Sequence, residues 1–382
     1  MKNTKNDLRV FEFGQAAILP SFEEKITNKD WILYGPNNDL PQRNIDMFNY
    51  SSVNRACLKA VINGIIGKDL LIDGEEGYTL VNSKETLYDL YKKVSTDFAI
   101  HGGFAMNTVK RRDGEGIASL YHMDFSKIRS GKVNEFDHVK DYYYSSDWLN
   151  ANKYKPIEIP AFDMNHDSDS QVYYSFPYQP NQKYYPIPSY IAGAVPIQID
   201  IEVMNFELNN IQNSYTPSMF ISLNNGVPGV EEREEIYKNL EQKYSSTNNA
   251  GKMFLNFSDS KENEPTITPI QPNNAPDLFN NLNEIVQTKI LQSHGITRPD
   301  LLSIKTAGSL GDRNEIVLGY AHFINATIKP MQSYLIREFE KLLFFMTGEV
   351  QEITIVQNEL VDAEENIEEG IDNITKELVT NE

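Results

Sequence analysis

The chain has 382 residues, 40% of them hydrophobic and 23% charged, with a formal net charge of −19. That balance suits roughly two or three globular domains with real cores. The negative charge excludes unaided wrapping of nucleic acid, which needs basic surface to displace counterions, but it is compatible with passing contact along an acidic wall that repels rather than grips.

The charge is uneven. Glu349 to Glu382 holds eleven acidic residues and one lysine, so this stretch alone carries −10 of the −19. It reads as a solvated helix or a disordered tail. The single cysteine, Cys57, rules out an internal disulfide and fits a reducing compartment. No N-terminal apolar core resembles a signal peptide, and no apolar run approaches the ~18 residues of a membrane span. The expectation is a soluble intracellular protein.

Residues 1–49 read as an irregular arm. WILYGPNNDLPQR is full of turn formers, and its Tyr34-Gly-Pro-Asn-Asn-Asp core cannot be interior helix. SSVNRACLKAVINGIIGKD then predicts a helix, with Ser51 or Ser52 at its N-cap, Val53, Cys57, Val61 and Ile65 on one side, and Gly67 at its end. GIIGKD lacks the glycine spacing and Lys-Ser/Thr pair of a phosphate loop. A second helix spans Lys84 to His101, with Leu87, Tyr91, Val94 and Phe98 facing one way and Gly102-Gly103 stopping it. FAMNTVKR, IASLYHMD, DHVKDYYYS and VYYSF alternate with period two and read as strands. Residues 50–190 therefore make an α+β domain.

YYPIPSYIAGAVP is hinge-like, and Pro196 suits the first turn of the helix that follows. That helix puts Ile197, Ile201, Met204, Leu208 and Ile211 on one stripe, with Asp200 and Glu207 among its polar residues. Residues 216–272 form an insert: strand SMFISLNNG, helix EEREEIYKNLEQKY, strand NNAGKMFLNFSD and a proline-blunted strand TITPIQP. APDLFNNLNEIVQTKILQSHG is the next helix, with Leu278, Leu282, Ile285 and Lys289 on one side, Val286 and Ile290 broadening it, and Gly295 ending it. The two helices bracket the insert. After a small-residue loop comes the longest helix, Asn314 to Met346. Pro330 lies inside it and predicts a kink. EVQEITIVQ is a last short strand before the acidic tail.

The sequence carries little that points to catalysis. The histidines His101, His122, His138, His166, His294 and His322 make no pair at metal-ligand spacing. NHDSDS, with Asp163, Asp167, His166 and Asp169, reads as a polar turn, because it lacks the glycine and terminal Glu of a calcium loop. No GxSxG, HExxH or paired CxxC is present. His294 beside Gly295 reads as a helix end, where a partly positive imidazole suits the dipole. The expectation is no enzyme, no metal and no cofactor.

The ordered set of segments resembles the portal proteins of tailed bacteriophages. The likeness rests on IPSYIAGAVPIQIDIEVMNFELNNIQNSYTPSMFISLNNGVP, NNAGKMFLNF, ITPIQPNNAPDLFNNLNEIVQTKILQSHGITRPDLLSI and RNEIVLGYAHFINATIKPMQSYLIREFEKLL. WILYGPNNDLP and NRACLKAVINGIIGKDL add to it upstream. It covers about residues 30 to 345.

That resemblance implies an α+β portal fold with a wing, a two-helix stem, a small α/β clip and a long kinked wing helix. On it, 1–49 is an N-terminal arm, 50–190 the first part of the wing, 191–215 a stem helix and 216–272 the clip. Residues 273–296 are the second stem helix, 297–313 the tunnel loop, 314–355 the long helix and wing closure, and 356–382 an acidic tail or short crown. It implies a ring, expected to have twelve subunits, at a capsid vertex, through which DNA is packaged and ejected. Its implied partners are sister subunits, the terminase large subunit, a head-tail adaptor, the major capsid protein, a scaffolding protein and double-stranded DNA, with no membrane. The implied location is the virion, with assembly in host cytoplasm.

Site residues follow from the same resemblance. Lys305, Thr306, Gly308, Ser309, Gly311 and Arg313 would face DNA from the tunnel loop, the two cations touching phosphate without reading sequence. Asp200, Glu202, Glu207 and Glu284 would line the channel, or else form an ordinary solvated stem surface. Tyr237, Leu240 and Tyr244 would build the clip core, and Pro330 the helix kink. The rival readings are a cytosolic scaffold or adaptor that forms no channel, and an enzyme with a dispersed site.

Overall fold

The computed structural model describes residues 22, 24–76, 79–212, 219–223, 232, 234–235, 253–257, 275–297, 299 and 313–358. The chain divides into two compact units, one of residues 1–195 with 291–382 and one of residues 196–290.

The first unit begins with a short pair, β1 (Glu24–Lys25) and β2 (Leu33–Tyr34), then α1 (Leu40–Tyr50). The helix α1 corrects the expectation of an irregular arm up to residue 49. Its signal was DLPQ: Pro41 sits in the first turn, where its missing N–H costs nothing, and Asp39 stands at the N-cap. The Asp39 carboxylate takes a hydrogen bond from Arg43 Nε, 3.0 Å, one turn on. The turn before it is as expected, with Gly35 and Asn38 at positive φ.

α2 (Ser52–Ile66) starts where the sequence places it, with Ser51 Oγ accepting from Asn54 N at 3.1 Å. Cys57, Val61 and Ile65 are buried. After β3 (Asp69–Ile72) and β4 (Glu75–Glu76), α3 (Leu87–His101) opens with a reciprocal capping box between Thr86 and Asp89. Its Leu87, Tyr91, Val94 and Phe98 are all buried. α2 packs on both α1 and α3.

Two antiparallel sheets follow. β5 (Phe104–Lys110) is the centre of one, between β6 (Ile117–Met123) and β10 (Ser170–Ser175). The other is a meander of β7 (Ile128–Ser130), β8 (Asp141–Tyr144) and β9 (Ile157–Pro160). Between them lies a core that includes Ile32, Tyr34, Leu40, Phe125, Tyr142 and Tyr185. Tyr34 stacks on Tyr185 with ring centroids 3.9 Å apart. The fully buried Arg129 donates to Asn38 Oδ1 (2.5 Å), to Asn38 O (2.9 Å) and to the carbonyls of Ser126 and Ile128. Burial lowers its guanidinium pKa to about 10. The arm from residue 31 onward is thus part of this domain's core.

In the second unit, α4 (Ala194–Gln212) begins with Pro196 in its first turn. β11 (Met219–Leu223) and β12 (Met253–Phe257) pair in parallel, Met219 opposite Met253, a pairing that requires a crossover between them. Residues 232, 234 and 235 in that interval are helical. α5 (Ala275–Ser293) closes the unit.

The first unit resumes at Leu291 and continues with a long joined helix: α6 (Arg313–Phe323), a π turn (Ile324–Ile328) and α7 (Lys329–Thr347). Pro330 lies in the first turn of α7 and has no N–H to give. Just before it the ladder widens, and Lys329 N–H reaches back five residues to Ile324 O. The buried stripe is Phe323, Ile324, Ile328, Leu335, Phe339 and Leu342. β13 (Ile353–Val356) then pairs antiparallel with β3, joining Ile353 to Ile72 and Val356 to Asp69.

Candidate functional site

The segment between α5 and α6, which the sequence reads as a loop, lies mostly outside the described residues, but its root is built in detail. α5 ends in a Schellman motif: Ile296 N–H bonds Leu291 O at 3.0 Å and Gly295 N–H bonds Gln292 O at 3.1 Å. Both Leu291 and Ile296 are buried, as the motif's apolar pair should be. Gly295 has φ +70°, which an L side chain adopts only with strain. Thr327, in the π turn, leaves no room either: a Cβ on Gly295 would stand 2.6 Å from Thr327 Oγ1.

His294 is the pivot of this root. It ends the helix as expected, but it is not a partly charged surface group. Its side chain is buried, lies 5.0 Å from the Tyr190 ring at 15° to parallel, and pairs through Nε2 with Asn54 Oδ1 at 2.8 Å. Burial lowers its pKa to about 4, so it is neutral at pH 7. Asn54 is held in turn by its own donation to Met47 O, 3.0 Å, and Tyr190 by donation to Ile100 O, 3.0 Å. Three elements of the body, α1, α2 and α3, are therefore tied to one residue of the root.

The far side of the root is the π turn, and it rests on α2. Gly64 lets the two helices approach; a Cβ there would lie 2.9 Å from Ile328 Cδ1. Gln332 Nε2 donates to Gly64 O (3.0 Å) and Ile65 O (3.2 Å), two last-turn carbonyls of α2 that have no partner within the helix. The entering and leaving flanks of the loop are thus seated on one scaffold of α2, Tyr190 and the π turn.

Of the residues the sequence marks, Lys305, Thr306, Gly308, Ser309 and Gly311 fall outside the described residues, as do Tyr237, Leu240 and Tyr244. Arg313 opens α6. Asp200, Glu202 and Glu207 lie on α4, and Glu284 is exposed on α5. Glu202 accepts from Gln198 Nε2 at 2.8 Å. At about 100° per residue, Asp200 and Glu207 share a side of α4 while Glu202 stands nearly opposite, so no one face carries all three. The apolar stripes also differ from expectation. Met204 and Leu208 are 50% and 52% exposed, and on α5 Ile285 is 57% exposed while Val286 and Ile290 are buried. The buried side of α5 is centred one residue later than the sequence reading put it.

The NHDSDS segment is a turn: Asp163 Oδ1 accepts from Asn165 N at 2.9 Å, and His166 Nδ1 accepts from Ser168 N at 3.0 Å. Among the described residues no group of three or more His, Cys, Asp or Glu side chains could hold a metal ion, and no helix is long and apolar enough to cross a membrane. Sequence reasoning missed Asn54, Tyr190, Thr327 and Gln332. Each acts on a residue far away in the chain, and none belongs to a local pattern.

No protein-family model matches the chain, and no curated protein matches it in sequence. Solved structures do. A chain in the neck of a native gene transfer agent particle, reconstructed with C12 symmetry, aligns with TM-score 0.53 and 14% identity over 82% of this chain and 84% of that one. The neck of the empty particle, reconstructed with C6 symmetry, gives TM-score 0.53 and 15% identity over 85% and 86%. The virion of the native particle gives TM-score 0.52 and 13% identity over 87% and 88%. The chain has the fold of these neck and virion chains. Its overall architecture is mixed α/β with small sheets and a long joined helix.

Proposed function

We propose that the protein is a portal subunit: it assembles into a ring, expected to be twelvefold, at a capsid vertex and forms the channel for DNA packaging and ejection. The observation that carries this reading is the breadth of the fold likeness, more than four-fifths of both chains, to components of a particle neck. In this reading 196–290 is stem and clip, and the division of the chain at 195/196 and 290/291 supports it. α4 and α5 stand around a common axis, with acids such as Asp200 and Glu207 keeping the wall from gripping a polyanion. Residues 297–313 reach toward the duplex, with Lys305 and Arg313 making weak phosphate contacts. The clip receives the terminase large subunit and later the head-tail adaptor. The protein does no chemistry of its own.

The exposed Met204, Leu208 and Ile285 suit sister-subunit contacts, because a ring needs complementary patches that close by rotation. Electron microscopy of the purified chain tests the proposal. The expected result is a ring with an axial hole wide enough for a DNA duplex. Assemblies without an axial opening, or a chain that stays monomeric even beside its capsid protein, would overturn it.

A further inference from the structure

A cavity of about 230 Å³ opens beside the loop root, walled by Ala60 and Gly64 of α2, Ile296, Phe323 and Ile324, and Asn358. Asn63 and Tyr320 complete the described lining, and the buried Ile296, Phe323 and Ile324 give the cavity an apolar side. An apolar cavity of about 150 Å³ already accepts a benzene molecule, so this one has room for aliphatic side chains.

The strand β13 delivers the chain to this place. Gln357 Nε2 donates to Gln332 Oε1 at 2.8 Å, and Asn358 O accepts from Tyr320 OH at 3.1 Å. Asn358 is therefore fixed as part of the cavity wall. The next residues in sequence are Glu359, Leu360 and Val361. An extended chain advances at most about 3.5 Å per residue, so Leu360 and Val361 lie within ~11 Å of the wall. Beyond them, acids separate the isolated apolar residues Ile367, Ile371, Ile374 and Leu378. Chain length alone lets this first apolar pair reach the recess, and the charge that follows favours water.

We propose that Leu360 and Val361 of the same chain fill this cavity, pinning the acidic C-terminal stretch to the base of the 297–313 loop. The loop's own Leu301 and Leu302 are the competing occupants. They start five residues past Ile296, with Pro299 between, whereas Leu360 is two residues past a residue bonded to the cavity wall. The seat would make the acidic stretch a fixed neighbour of the loop root, so that whatever binds the stretch acts on the loop's anchor.

Two experiments on the full chain test this. Asn63 is exposed and also lines the cavity. Asn63→Cys is paired in turn with Leu360→Cys, Leu301→Cys and Val379→Cys under mild oxidation. The native Cys57 is buried, with its thiol pKa pushed up to about 12, and does not compete. The expected result is an intrachain disulfide with position 360, formed well ahead of the other two. Preferential linkage to 301, linkage between two chains, or no preference would each overturn the assignment. Separately, Leu360→Asp with Val361→Asp is expected to speed amide exchange in residues 316–324 by about tenfold. Unchanged exchange there would also overturn it.

Discussion

Gly295 and Thr327 meet with no room for a side chain between them: a Cβ on the glycine would stand 2.6 Å from the threonine Oγ1. Two penalties follow for Gly295→Ala, the left-handed φ and the collision. The first is about 1–2 kcal/mol. Together they should cost about 2–3 kcal/mol in urea denaturation. Adding Thr327→Ala removes the hydroxyl and should recover the steric part alone. A double variant no more stable than Gly295→Ala would show that the contact does not govern this position.

His294 gives a pH dependence of known sign. Its folded-state pKa, about 4, is below the ordinary value of 6.5. The unfolded chain therefore binds a proton that the folded chain does not between those limits. The contribution to stability is fully present above pH ~6.5, falls as pH drops toward 4, and levels off below that. Its full span is about 3 kcal/mol by linkage. His294→Gln keeps a polar amide opposite Asn54 but cannot titrate. The variant's stability should lose that part of its acid sensitivity between pH 7 and 4, as read by urea titrations at several pH values. Equal pH slopes in the two proteins would contradict a buried, neutral imidazole.

Gln332→Leu keeps most of the side-chain volume and removes the donor to Gly64 O and Ile65 O. Ile65 O keeps the Tyr91 hydroxyl as a donor, so Gly64 O is the carbonyl left unsatisfied, at a cost of about 1–3 kcal/mol. Hydrogen exchange should show the loss first in the last turn of α2 and in the π turn. A variant as stable as the parent would mean that Gly64 O finds another partner.

Deleting Gly308 to Gly311 tests the loop's role in the proposed channel. The root is made by Leu291 to Ile296 and by residues from 324 onward, so the body should fold and the ring assemble. DNA packaging or retention should fail. Normal DNA-filled particles from this deletion would remove the loop from the mechanism.

How much of this was legible in the sequence depends on range. Ser51, Gly67, Gly102 and Gly295 mark helix ends by local chemistry, and α2 and the ends of α3 and α5 follow them; the start of α3 was put at Lys84, three residues early, because the Thr86–Asp89 capping box was not read. α1 was missed because DLPQ was read with the turn formers of WILYGPNNDLPQR, although a first-turn proline starts a helix as readily as it stops one. β3, β7 and β9 were missed because each is three or four residues long and is defined by its partner strand. The buried side of α5 was misplaced by one residue, a shift of about 100°, because Ile285 and Val286 are both apolar and periodicity alone cannot rank them. At the site, the loop's flanks were readable. The clamp was not, because Asn54, Tyr190, Thr327 and Gln332 come together only through tertiary structure.

The pairing of β3 with β13 has a consequence for how the molecule is made. Ile72 must wait for Ile353, some 280 residues later, before that sheet can close. At the ~5–20 residues per second of translation, the delay on the ribosome is roughly 15–60 s. During that time β3 offers an unpaired edge, and such an edge invites aggregation. The nascent chain should therefore depend on chaperones, and a truncation before residue 353 should be recovered mainly in inclusion bodies.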